Sequence, residues 1–308
     1  MINPESFQLP PQLSTNAAEI DGLYNFIYWF SVVFTTAITG AIIYFAVKYR
    51  RRPGVKSEPP GHNTILEIVW TVLPLVFIVV LFHLGFRAYL HMAVAPEGAM
   101  EVRVLGAKWK WDFVYPNGRA EAADLVLPVN KPVKFIISSE DVLHSFFVPG
   151  ARLKKDAVPG MYTSMAFTPN TIGTMQIFCA EYCGTSHSGM LGTIKVVSQD
   201  EFDKWMKEGD KVEPTAEVGE KLYKKQACNT CHSIDGSKMP GPTWKGMWGR
   251  EEAMADGVKI TVDENYVRES IQKPNAKVVA GFQPVMPTYP NLTEKHIDAL
   301  IAYMKTLK

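Results

Sequence analysis

Between residues 179 and 190 the chain reads CAEYCGTSHSGM, which sets Cys179, Glu181, Cys183, His187 and Met190 within twelve residues. Thiolates select copper(I), zinc or iron–sulfur clusters, and imidazole suits zinc and copper. Zinc does not favour a thioether sulfur, so Met190 argues for copper. A blue-copper site uses one cysteine, two histidines and a weak axial methionine. This stretch carries one thiolate more, and a second thiolate would allow two copper ions bridged by two sulfurs. Such a site still needs a second imidazole. Upstream, DVLHSFFVPG places His144 in a strand-like run before a Pro-Gly turn, with a core histidine as the alternative reading.

A second chemical motif follows at 228–232, CNTCH. The C-x-x-C-H spacing reads as covalent c-type haem attachment, with thioethers from Cys228 and Cys231 and iron ligation by His232. A redox dithiol would sit in a βαβ setting, which this part of the chain lacks. These two close pairs use all four cysteines of the chain, which points to metal and cofactor chemistry rather than disulfide staples. Methionine is the common sixth ligand that raises a haem potential, and Met239, Met247, Met254, Met286 and Met304 are available. Met304 belongs to an apolar helical stripe, so packing explains it.

These residues need elements to hold them. From Leu23 to Val47 there are 25 residues without a charge. At a helical rise of about 1.5 Å per residue this run reaches roughly 37 Å, enough to cross a hydrocarbon core of about 30 Å. A second apolar run covers about Thr64 to Phe86 and contains Glu67, Pro74 and His83. The loop between the runs carries Lys48, Arg50, Arg51, Arg52 and Lys56, whereas residues 1–21 carry no lysine or arginine. The positive-inside rule then puts the loop in the cytoplasm and both termini on the outer face. That start lacks the basic residues of a secretory signal. Beyond the helices, VKFIISS, MYTSMAF, GTMQIF and LGTIKVV are β-rich runs bounded by turn residues, which predicts a small sandwich or barrel. Ser198 and Glu201 suggest a capping box that starts a short helix. Near the C-terminus, Ile297, Leu300, Ile301 and Met304 fall at helical spacing, and Lys305 and Lys308 suit the end of that helix. The net charge of +1 gives no sign of nucleic-acid binding.

His144 followed by Cys179, Glu181, Cys183, His187 and Met190 resembles the CuA motif, H…C-x-E-x-C-x-x-x-H-x-x-M, of subunit II of haem–copper cytochrome oxidases. The resemblance spans nearly all of residues 20–197, and the C-x-x-C-H domain resembles the fused cytochrome of caa3-type oxidases. It implies a multidomain fold: a two-helix transmembrane hairpin, a β-sandwich cupredoxin domain and an all-α class I cytochrome c domain. The expected boundaries are an exported tail at 1–21, helices at 22–48 and 63–88 around a cytoplasmic loop at 49–62, a copper domain at 95–198, a linker at 199–214 and a cytochrome at 215–308.

The resemblance also implies roles. Cys179 and Cys183 would bridge both coppers, and His144 and His187 would bind one each. Met190 and the Glu181 carbonyl would be the weak ligands, and the Glu181 side chain would reach a magnesium ion shared with the catalytic subunit. Met286, in FQPVMPTYPNLT, matches the distal haem ligand of class I cytochromes c, and Pro242 matches the proline on the histidine side. Trp109, in AKWKWDFVYPNG, would be where electrons arrive, although Ala107, Lys108 and Lys110 depart from the family's aromatic segment. Two added positive charges there would oppose a basic soluble cytochrome. In this family the glutamate of E-x-x-W-T, here Glu67, sits at the cytoplasmic mouth of a proton pathway; interface snorkelling or pairing with a loop arginine is the alternative.

The implied function is electron transfer in a terminal oxidase of a bacterial inner membrane. Haem c would serve the dinuclear copper, which serves a catalytic subunit I that reduces oxygen, with catalysis only as part of the complex. Subunit III and a cytochrome c or other haem donor are the further partners implied. A CuA-bearing nitric oxide reductase subunit and a copper-binding assembly factor are the rival readings. Quinol oxidase subunits lack these copper ligands, and nitrous oxide reductase lacks the two membrane helices.

Overall fold

The computed structural model describes residues 8–56, 61–208, 213–289 and 292–308. Residues 1–7 of the expected tail, 57–60 of the loop and 209–212 of the linker lie outside them. The chain divides into two units, residues 16–93 and residues 1–15 with 94–308.

The first unit is a helical hairpin of α1 (Thr15–Lys48) and α2 (Thr64–Ala93). Both helices are long and apolar enough to cross a membrane. Helix α1 begins before the uncharged run because polar residues such as Thr15 and Asn16 are tolerated in a first turn, where backbone N–H groups have no helical partner. The two helices meet through aromatic packing. Phe30 stacks on Phe77 with ring centroids 3.6 Å apart, and Phe26 leans on the same ring at 5.7 Å. At the other end Glu19 accepts from His91 at 2.7 Å and lies 3.8 Å from Arg87. Most remaining apolar side chains, Val33, Ile42, Phe82 and Ile78 among them, face outward. Apolar surface turned outward all along two spans is what lipid stabilises and water does not.

The second unit starts with a β-sandwich. One sheet has the order β3-β2-β1-β5-β8, from β1 (Met100–Ala107), β2 (Lys110–Val114), β3 (Ala120–Ala122), β5 (Val133–Ser139) and β8 (Thr163–Phe167). The other has the order β4-β10-β9-β6-β7, from β4 (Asp124–Pro128), β6 (His144–Val148), β7 (Leu153–Ala157), β9 (Gly173–Cys179) and β10 (Leu191–Val197). Parallel pairings, β1 with β5 and β10 with β4, mix with antiparallel ones. Trp111, Phe113, Phe135, Phe146, Leu127 and Ile177 fill the space between the sheets and are fully buried. In β9, Met175, Ile177 and Cys179 alternate inward, so the period-2 pattern that builds the core also delivers a thiol to its end.

Helix α3 (Gln199–Lys207) follows directly and is capped by Ser198, whose side chain accepts the Glu201 N–H. Arg119 stacks on Trp205 at 3.7 Å and donates to the Trp205 and Glu208 carbonyls, which ties α3 to the sandwich. The C-terminal domain contains α4 (Ala216–Lys225), α5 (Glu264–Gln272) and α6 (Glu294–Met304), with α4 packed across α6. A short hairpin of β11 (Glu251–Ala253) and β12 (Lys259–Thr261) accompanies the helices. Ile297, Leu300, Ile301 and Met304 are buried on one face of α6. Thr293 and His296 form a reciprocal cap at its start.

Candidate metal and haem centres

Three strand ends converge at one edge of the second sheet. Cys179 closes β9, His144 opens β6, and Met190 precedes β10. Phe146 pairs in register with Cys179, which fixes β6 beside β9 and brings His144 near the thiols. The segment 180–190 bridges β9 and β10 and carries Cys183 and His187.

The two sulfurs stand 3.8 Å apart, well beyond the roughly 2.05 Å of a disulfide. Each has its own pair of neighbours. Cys179 Sγ lies 3.8 Å from His144 Nδ1 and 3.2 Å from the Glu181 carbonyl oxygen. Cys183 Sγ lies 3.4 Å from His187 Nδ1 and 3.8 Å from Met190 Sδ. The donor set is thus two central thiols, each flanked by one imidazole and one weak donor. Nδ1 of His144 and the two sulfurs lie within 4.8 Å of one another, all three residues buried. A buried, soft, sulfur-rich set of this kind fits copper by its chemistry.

The imidazole of His144 is held from behind. Its Nε2–H donates to Asp141 Oδ1 at 2.9 Å, which leaves Nδ1 facing the thiols. The same carboxylate accepts the backbone N–H groups of Lys108 at 2.9 Å and Val142 at 2.6 Å. Burial would raise the Asp141 pKa, but these hydrogen bonds outweigh it and hold the carboxyl below its usual range. Burial would likewise lower His144, and the bonds from Asp141 and Cys179 reverse this and raise it. The hydrogen bond between the two thiols drives Cys179 down and Cys183 up.

Trp109 lies in the turn between β1 and β2, only 5 % exposed, and its Nε1–H donates to the Cys183 carbonyl at 3.1 Å. Gly184 makes this possible. A Cβ there would sit 3.1 Å from the indole, and its φ of +120° is open to glycine alone at little cost. Trp111, two residues on, is instead a core residue, edge-on to Phe146 and His144. Lys110 departs from the expected surface charge: it is 1 % exposed, and its ammonium lies 2.6 Å from Asp112 Oδ2.

In the C-terminal domain, Cys228 opens a single 3-10 turn that leads into Cys231 and His232. His232 Nδ1–H donates to the Pro242 carbonyl at 2.7 Å, so Nε2 is the nitrogen left to bind a metal. Burial lowers the His232 pKa, and the Pro242 bond offsets part of that, which favours the neutral ring a metal needs. Gly241 presses on this ring: a Cβ there would stand 2.8 Å from Cε1. Burial pushes the Cys228 thiol up to about 12. His232 and Cys231 line a cleft between the loops and α5. Met286, Met247 and Met304 also line it, whereas Met239 and Met254 do not. The walls are mostly apolar, as a haem requires.

Glu67 sits in the first turn of α2, where its Oε1 lies 3.0 Å from His62 Nδ1. Among the described residues its ionic partner is this histidine and not a loop arginine.

The family described as "Cytochrome C oxidase subunit II, transmembrane domain" matches residues 3–87, "Cytochrome C oxidase subunit II, periplasmic domain" matches 119–197, and "Cytochrome c" matches 216–308. Cytochrome c oxidase subunit 2 of Alkalihalophilus pseudofirmus is 33 % identical over 301 residues, covering 92 % of this chain and 86 % of that protein. Cytochrome c oxidase subunit 2 of Synechocystis is 25 % identical over 64 % of this chain and 74 % of its own length. The crystal structure of the periplasmic domain of subunit II of cytochrome oxidase of Bradyrhizobium japonicum is 27 % identical, covers 36 % of this chain and 94 % of that one, and has a TM-score of 0.35. The matched domains imply a CuA copper centre, a haem, membrane anchoring with an outer-face domain, and a catalytic partner subunit I. The chain belongs to the cytochrome c oxidase subunit II family, in a form fused to a C-terminal cytochrome c domain.

Proposed function

We propose that this chain carries electrons from a covalent haem c to a dinuclear copper centre, and on to a haem–copper subunit I that reduces oxygen. The observation that carries the reading is the doubled donor set, in which each of two thiols 3.8 Å apart has its own imidazole and its own weak neighbour. A mononuclear blue-copper site uses a single thiolate; the second thiol here has a matching environment and supports a second ion.

The centres would supply one-electron storage and release, and the chain's residues hold and tune them. Cys179, Cys183, His144 and His187 would hold the coppers, with Met190 and the Glu181 carbonyl as weaker donors. Cys228 and Cys231 would attach the haem, and His232 and Met286 would ligate its iron. Asp141 orients His144, and the Pro242 carbonyl orients His232. Outer hydrogen bonds of this kind fix the imidazole tautomer and raise ligand basicity. Trp109 bonds to the Cys183 carbonyl on one side and lines a cleft with Cys228, His232 and Met286 on the other, and is the residue through which electrons arrive. The Glu181 side chain would help hold a magnesium ion at the subunit I interface. Glu67 serves the mouth of a cytoplasmic proton path. Subunit III and an external haem-protein donor complete the complex, set in a bacterial inner membrane.

The test is Cys183→Ser in the assembled oxidase. Oxygen uptake is expected to disappear while covalent haem content stays normal. Retained uptake would contradict the copper relay.

A further inference from the structure

Lys110 is an unusual residue to find inside a protein. Lysine is almost never fully buried unless paired, yet this one begins β2 at 1 % exposure. Its partner Asp112 is itself buried, and one of that carboxylate's oxygens, Oδ1, has no hydrogen-bond partner among the described residues. Removing both charges from water costs more than such a pair commonly returns, so a buried pair is weak as a stabiliser of the sandwich. Burial and the Asp112 carboxyl explain one side of the ammonium. The other side faces out of the copper domain and meets an aromatic ring.

That ring is Tyr289, whose centroid lies 4.4 Å from Lys110 Nζ. Tyr289 belongs to the cytochrome domain, three residues after Met286. Lys110 and Trp109 share a narrow cleft with Cys228, His232, Met286 and Tyr289. Two further polar links flank it. Ser186 Oγ donates to the Thr230 carbonyl at 2.9 Å, and Lys225 pairs with Glu121 of β3. Trp109 is therefore enclosed between the copper-ligand segment and the haem-binding segments, with Pro240, Gln283 and Val285 along its other margin.

We infer that Lys110 is a positioning residue for transfer between the two domains: backed by Asp112, it grips the Tyr289 ring and holds the haem-binding loop against Trp109. This rests on the electron-transfer reading above. A cation over an aromatic face in a desolvated setting is worth enough to shift a docked population by about tenfold. The flanking links, Lys225 to Glu121 and Ser186 to the Thr230 carbonyl, tie other segments, whereas the Lys110 contact reaches the loop that carries Met286 and sets its register. The Asp112 carboxyl, 2.6 Å from Lys110 Nζ, gives the buried amine a hydrogen-bond partner at that spot.

The test uses the full chain in detergent, with haem attached and copper bound, in four forms: wild type, Lys110→Met, Tyr289→Leu and the double variant. The haem absorption spectrum, haem potential and copper paramagnetic signal are recorded first. Absence of the haem or copper signal in wild type would count against the function proposed above and not against the role of Lys110. Electron equilibration between the centres is then followed after rapid one-electron reduction. Each single variant is expected to slow equilibration by about tenfold with both centres spectrally intact, the double variant no more than either single, and Lys110→Arg, which keeps a cation over the ring, to restore most of the rate. Lys110→Met leaves Asp112 buried without its partner and can fail to fold; Tyr289→Leu, on the other domain, then carries the test. Wild-type rates in Tyr289→Leu would overturn the proposal. So would losses that multiply in the double variant, or a slowed rate accompanied by loss of the haem or copper signal.

Discussion

The two centres are built on different principles. At the proposed copper site, two strand ends place His144 and Cys179, and the eleven-residue crossing 180–190 carries Cys183, His187 and Met190. The donor atoms stand 3.2 to 3.8 Å from the neighbouring sulfurs, and Asp141 already orients its histidine. The proposed haem region is a cleft between loops, with one 3-10 turn beginning at Cys228. His232 is locked there by the Pro242 carbonyl. The difference follows from how each cofactor is retained. Copper is held by coordination alone, so a rigid sheet must pre-arrange its ligands. The proposed haem c would be bonded covalently, and thioether bonds tolerate a looser frame.

This contrast can be broken at several points. The largest effect is expected at Asp141. Asp141→Ala removes the acceptor behind His144 and should weaken copper binding by about 10- to 100-fold, read by competition with a copper chelator. Undiminished affinity would mean that the sheet alone orients the imidazole. At the haem, Met286→Leu should leave the haem attached and change its ligation spectrum and potential, because a thioether ligand raises the potential. An unchanged spectrum would move the assignment to another methionine that lines the cleft, with Met247 the nearest alternative. Gly241→Ala should disturb the same spectrum from the other side, since the new methyl would meet His232 Cε1 at 2.8 Å. A cost in stability of about 1–3 kcal/mol is expected for this overpacking, measured by thermal unfolding. The smallest effect belongs to Glu67→Gln, which should slow turnover without changing haem or copper content. Full activity would reduce Glu67 to a partner for His62.

Much of this arrangement was legible in the residues. VKFIISS and LGTIKVV coincide with β5 and β10 because their apolar, β-branched runs are bounded by turn residues at both ends. The copper donors could be read because five of them lie within twelve residues, where spacing alone carries the chemistry. His144 needed the strand register that places β6 beside β9. Lys110 was not legible. A lysine in an alternating strand reads as a solvent-facing charge, and nothing local announces that Tyr289, far along the chain, closes over it. Asp141 escaped notice for a related reason. It is an ordinary turn aspartate until the fold brings Lys108 N–H and His144 to its carboxylate. Helix α1 extends beyond the uncharged run because that run marks the part suited to lipid, while hydrogen bonding continues the helix back to Thr15.

The central claim is that the cysteine segment holds two copper ions as one unit. The most direct measurement counts copper per chain in the purified full-length protein, with haem attached, and records its electron paramagnetic resonance spectrum. Two coppers per chain, with one unpaired electron shared between two nuclei, is the predicted result. One copper with a single-nucleus signal, or a disulfide joining Cys179 to Cys183 in the metal-loaded protein, would contradict it.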